Sequence, residues 1–152
     1  MKSTIRYPKK HELMVKSIKE DLKLFSTYKE FLSFCAAIAL HRNSIDDISV
    51  DTIIWSNQQI KIDIFNKGEF DRSLMDLIAL KYSDDISILN GDRDEEIFNI
   101  FELFVANGLE IYSREIHSVI NKNALSDLLL FIDKSKNNNE GSKLSEFTDF
   151  LT

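Results

Sequence analysis

Apolar residues recur at helical spacing along most of the chain, most strongly over 92–116, DRDEEIFNIFELFVANGLEIYSREI. Four acids, Asp92, Asp94, Glu95 and Glu96, open this stretch and suit a helix N-terminus by opposing its partial positive charge. Ile97, Ile100, Phe101, Phe104 and Val105 then build an apolar face, which Leu109, Ile111 and Tyr112 resume. Between them stands Ala106-Asn107-Gly108. Asn and Gly enter the left-handed region most cheaply, so the pattern predicts a helix that ends or bends there.

Upstream, Tyr7-Pro8 starts the first expected element. Leu13, Met14, Ile18, Leu22 and Phe25 predict a helix over about 9–25. Ser26-Thr27 offers capping hydroxyls for a second helix over 28–41, YKEFLSFCAAIALH, which is apolar around most of its circumference. Such a helix belongs in the middle of a domain, and its Cys35, Ala36, Ala37 and Ala39 permit close approach of neighbours.

From 48 to 65 the period shortens. Ile53-Ile54-Trp55 is followed by Ser56-Asn57 and by Ile60, Ile62 and Ile64 alternating with Lys61 and Asp63. That alternation predicts a half-buried strand and a small hairpin. Phe70, Leu74, Leu77, Ile78 and Leu80 predict a helix over about 70–82. Leu125, Leu128, Leu129 and Ile132 predict another over 124–133. The fold expectation is mainly α: a single-domain helical bundle of about five helices over 5–134, with a small two-stranded β element around 50–65. Residues 135–152 read as a polar linker with a short C-terminal helix carrying Phe147 and Phe150.

Composition agrees. Four Gly and one Pro in 152 residues favour helices over a turn-rich β fold, and 43% hydrophobic content supports a packed core. No apolar run approaches the roughly 18 residues that span a bilayer. The N-terminus lacks a secretory apolar stretch, and a single cysteine excludes an internal disulfide, so a cytoplasmic protein with no membrane partner is expected.

Charge is uneven. Residues 1–30 carry eight Lys/Arg against four acids, while the other 122 residues carry 11 against 21. Lys9, Lys10, Lys16 and Lys19 on this basic segment are the candidate DNA contacts; a solvated helix face is the plainer reading.

Chemical motifs are sparse. His11, His41 and His117 form no metal-spaced set, the glycines are dispersed, and the acids near 84–96 lack calcium-loop spacing. No cofactor is expected. Cys35 reads as a small buried hydrophobe. Asp51, Gln59 and Lys61 are similar to the acid and Q-x-K of metal-dependent nuclease cores, where Mg²⁺ and Lys prepare the attacking water. Such cores add a further acid and a larger sheet, which this helical pattern does not offer.

Several stretches resemble one family. These are Ile60–Phe65, Leu77–Leu80, Asp94–Phe98 and above all Phe104–Ile111, with its Ala106-Asn107-Gly108-Leu109-Glu110 element; Tyr7-Pro8-Lys9 and 28–40 extend the likeness upstream. Over about 5–116 the chain is similar to the small Dnd system-associated proteins encoded beside bacterial DNA phosphorothioation genes. A single Gly108 where two glycines are expected, and Val105 in place of an aromatic, mark it as divergent. The tail beyond 120 carries no such likeness.

The resemblance implies an accessory of a DNA modification and anti-phage defence system. It carries over no catalytic residues. The expectation is therefore a non-enzymatic adaptor that binds other proteins of that system, with Trp55, Phe147 and Phe150 as candidate contacts. A DNA-binding regulatory module on the basic N-terminal helix is the alternative, and a Mg²⁺ nuclease the third reading. A homodimer stays open.

Overall fold

The computed structural model describes residues 1–43, 50–117, 125–126 and 128–137. It is mainly helical, with one two-stranded antiparallel sheet. The elements are β1 (Thr4–Ile5), α1 (Glu12–Glu20), α2 (Tyr28–Arg42), β2 (Ile60–Lys61), α3 (Ile62–Asn66), α4 (Glu69–Ser83) and α5 (Asp94–Tyr112). Short 3-10 turns cover Lys9–His11, Val50–Thr52 and Ile86–Leu89. A further helical stretch covers the described part of 125–137.

The axis is α5, with α2 packed along it and α4 on another side. From Phe104 to Leu109 six consecutive residues are buried, so this half of α5 is enclosed on every face. Phe31 of α2 meets Tyr112 edge-on at 5.0 Å, and Phe65 of α3 meets Phe101 at 5.6 Å. α2 begins where its hydroxyls predict. Thr27 Oγ1 accepts the Glu30 N–H at 3.1 Å, and the Glu30 carboxylate accepts from Ser26 N and Oγ. This reciprocal cap satisfies donors that a helix start leaves open. The Ser26 hydroxyl's hydrogen bond lowers the Glu30 pKa.

The expected break in α5 is absent. Residues 94–112 form one helix, which widens into a π turn only at Ser113–His117. Gly108 is needed for closeness instead of curvature. A Cβ there would lie 1.8 Å from the Cys35 carbonyl oxygen and 2.8 Å from its Cα. The α2 and α5 backbones touch at this point, and only glycine leaves the space. The small residues of α2 are the other half of this crossing.

The expected hairpin is also replaced. The 53–55 and 60–62 runs do not pair with each other; both pair with the N-terminus. Ile5 faces Ile60 and Thr4 faces Lys61, while Trp55 bridges Pro8. Ser56 N–H donates to Tyr7 O and Lys9 N–H to Ile54 O, both at 2.8 Å. Ile62–Asn66 is helical because Ile62 and Phe65, three apart, both reach the core. Ordered structure thus starts at Thr4, ahead of Tyr7-Pro8, and α1 is shorter than 9–25.

α4 matches its prediction within a residue at each end. Of the four leucine and isoleucine residues expected to face inward in the last helix, only Leu128 is buried; Leu125, Leu129 and Ile132 are exposed. Phe131 packs against the core instead, and Arg42 lies 5.3 Å over its ring. Helical backbone continues to residue 137, into the first residues of the expected linker. Phe147 and Phe150 lie outside the described residues.

Candidate binding site beside the buried half of α5

Two seams join the N-terminal segment to α5. The first is centred on Glu102, which is 1% exposed. Its carboxylate accepts from Lys2 Nζ at 2.6 Å, from Arg6 N–H at 2.7 Å, and from the Arg6 guanidinium at 3.0 and 3.2 Å. A buried carboxylate is tolerated only when paired and hydrogen-bonded in this way. Arg6 also stacks over Trp55 at 4.3 Å. Trp55 is half-buried and lines a surface cavity of about 640 Å³ together with Arg6, Tyr82, Arg93 and Glu102.

The second seam lies farther along α5. Ala106, Asn107 and Glu110 line a cavity of about 620 Å³ with Pro8, Lys9, Lys10, Thr52, Ile53, Ile54 and Arg114. Lys10 Nζ pairs with Glu110 Oε1, and His11 Nε2 lies 3.3 Å from the same oxygen. His11 is 6% exposed, and desolvation, with Lys10 nearby, lowers its pKa to about 4. Neutral His11 therefore donates Nε2–H to Glu110. Asn107 is 4% exposed, and among the described residues its Nδ2 meets no hydrogen-bond partner.

The structure divides the sequence candidates. Lys9 and Lys10 converge with Asn107 and Glu110 of the 106–110 element on one cavity. Gly108 and Leu109 of that element are packing residues. Lys16 stands exposed on α1, and Lys19 sits 4.4 Å over the Tyr28 ring. Half of the eight N-terminal cations pair with acids of α4 and α5. Lys2 and Arg6 hold Glu102, Lys10 holds Glu110, and Lys29 holds Asp71 at 2.8 Å. Ser33 also donates to Asp71, tying α2 to α4.

Asp51 sits in an exposed 3-10 turn and shares no described cavity with Lys61, which ends a strand two residues long. Among the described residues the one sheet has two strands, short of the sheet that a nuclease core builds on. Among the described residues no group of three or more His, Cys, Asp or Glu could hold a metal ion. Burial pushes the Cys35 thiol well up, away from the reactive thiolate. Among the described residues no helix is long and apolar enough to cross a membrane.

Sequence reading missed Glu102, Asp71 and His11. A signal existed for Glu102: it is the lone charge between Ile97 and Ala106.

No curated protein and no solved structure matches the chain. One family model does, over residues 4–150, and so takes in the tail that the sequence likeness left out. The chain belongs to the family of DNA sulphur modification system-associated protein 4.

Proposed function

We propose that the protein is a non-enzymatic accessory of a DNA sulphur modification and defence system, acting by contact with another protein of that system. The observation that carries this reading is how the surface is divided. Half of the eight N-terminal cations pair with acids of α4 and α5 and so are drawn into the fold. Large apolar side chains do stand outward. Phe70 and Leu77, two turns apart on α4, are 72% and 53% exposed, and Ile86 is 77% exposed. Apolar side chains of this size serve protein contacts better than phosphate backbones.

The test is co-purification of the tagged chain from its native host. The expected result is recovery of a component of the modification system, lost in a Phe70→Ser/Leu77→Ser variant that keeps its helical spectrum. Recovery of no system component would count against the reading. The DNA-binding alternative keeps one specific support, the exposed Lys9 and Lys16 of the N-terminal segment. It requires duplex binding that falls steeply with salt and weakens when Lys9, Lys10 and Lys16 are neutralised.

A further inference from the structure

We propose that the groove between α2 and the last helix is the docking site of this chain's own segment 144–151, LSEFTDFL. The groove has a volume of about 440 Å³. Phe34, Ala37 and Ile38 of α2 and Phe131 and Ile132 of the last helix supply its apolar lining; His41, Arg42 and Lys136 supply the cationic part. The last helix also keeps an open apolar stripe. Leu125, Leu129 and Ile132 fall at helical spacing, and they are 58%, 57% and 44% exposed. A stripe of this kind, running into the groove at Ile132, marks a contact surface.

Reach is the first reason to assign it to 144–151. Lys136 lines the groove, and helical backbone is described to residue 137. Only 138–143 separate that helix from Leu144, and six residues extend to about 20 Å. The stretch of α2 from Phe34 to Arg42 is about 12 Å long, so the segment can return along it. A tether this short holds a segment at an effective concentration on the order of millimolar, which favours it over the same segment of a second copy in dilute solution.

Side-chain chemistry is the second reason. Residues 144–151 set Leu144, Phe147, Phe150 and Leu151 among two acids, Glu146 and Asp149, with no base. The groove offers the converse, apolar side chains beside Arg42 and Lys136. Lys136 is exposed and pairs with no acid among the described residues. The family match adds a third reason: it runs to residue 150 and so takes in Phe147 and Phe150 together with the helices that form the groove.

The experiment uses the full chain carrying a nitroxide at Thr152→Cys. Cys35 is fully buried, so the label goes to position 152. The Ile38 and Ile132 methyl resonances are expected to broaden, to the same extent after tenfold dilution, and to sharpen in a Phe147→Ser/Phe150→Ser variant and in part in Lys136→Glu. A free peptide of residues 143–152 is expected to bind the double-serine variant saturably, and the unsubstituted chain at least tenfold more weakly because its own segment fills the groove. Sharp Ile38 and Ile132 signals, broadening that survives the two serines, no saturable peptide binding to the variant, or equal affinity for both chains would overturn the proposal. Broadening seen only between nitroxide-bearing chains and separate isotope-labelled ones would overturn it too, by giving the groove to a second copy.

Discussion

Glu102 and Asn107 stand less than two turns apart on α5, both almost fully enclosed, and they differ in every other respect. Glu102 meets Lys2 and three donors of Arg6, so its burial is compensated and the seam is closed. Asn107 carries an amide donor that, among the described residues, nothing meets. The first arrangement serves folding: it fastens the N-terminal strand to the central helix. The second works against folding, since an orphaned donor lowers stability.

The sharpest way to break the comparison is to disturb the helix that carries both residues. Gly108→Ala places a methyl 1.8 Å from the Cys35 carbonyl oxygen, with backbone on both sides and no side chain to yield. The α2–α5 crossing must open, and overpacking of this kind costs about 3 kcal/mol or more. Urea unfolding is the check. A loss below about 1 kcal/mol would mean that the helices separate easily and that the contact is incidental.

Glu102→Ala comes next. Removing the carboxylate leaves Lys2 and Arg6 without their acceptor, and breaking a buried pair costs about 3 kcal/mol. The loss is local as well as global: the Arg6 amide, which now donates to Glu102 at 2.7 Å, should exchange with solvent faster. Hydrogen exchange that left residues 4–7 as protected as before would show that the strand ladder, not the carboxylate, holds the segment.

How much of this was legible follows from what each feature depends on. The main helices were readable because a 3.6-residue period needs only neighbours. Gly108 was misread because Asn-Gly signals a helix stop as well as it signals close approach. The distinguishing fact, Cys35 across the crossing, lies 73 residues away. The hairpin failed for a related reason. Local alternation at 60–64 fits a strand, but the partner that forms is Thr4–Ile5, and the short strand then gives way to a helix that buries Ile62 and Phe65. Glu102 was half legible. An acid set within an apolar helical face requires a cation, and the N-terminal segment has the positive excess to supply it, but nothing in the spacing pairs the two. The convergence of Lys9 and Lys10 with Asn107 could not be read at all, since spacing along the chain does not show it.

The second seam is also sharpened by pH. His11 is held neutral, with its pKa lowered from 6.5 to about 4 chiefly by desolvation. The unfolded chain therefore binds more protons than the folded one between these values, and stability rises with pH across that window. The contribution is fully present above pH 6.5 and is lost as pH falls toward 4, by on the order of 2–3 kcal/mol. A His11→Gln variant should show a flatter dependence of unfolding free energy over this range. An unchanged slope would mean that His11 gains its proton in the fold, on the Glu110 side, as readily as in water.

The smallest expected effect separates the two polar groups most cleanly. Asn107→Leu removes the orphaned donor and keeps the branched outline of the side chain, so it should be neutral or stabilising by up to about 1 kcal/mol. The equivalent change at Glu102 removes a satisfied acceptor and moves stability the other way. Opposite signs for two substitutions of similar burial on one helix would separate polarity that holds the fold together from polarity that costs it stability. A loss of more than about 1 kcal/mol at Asn107 would mean that its amide already has a stabilising role in the folded chain, and the distinction between the seams would fail.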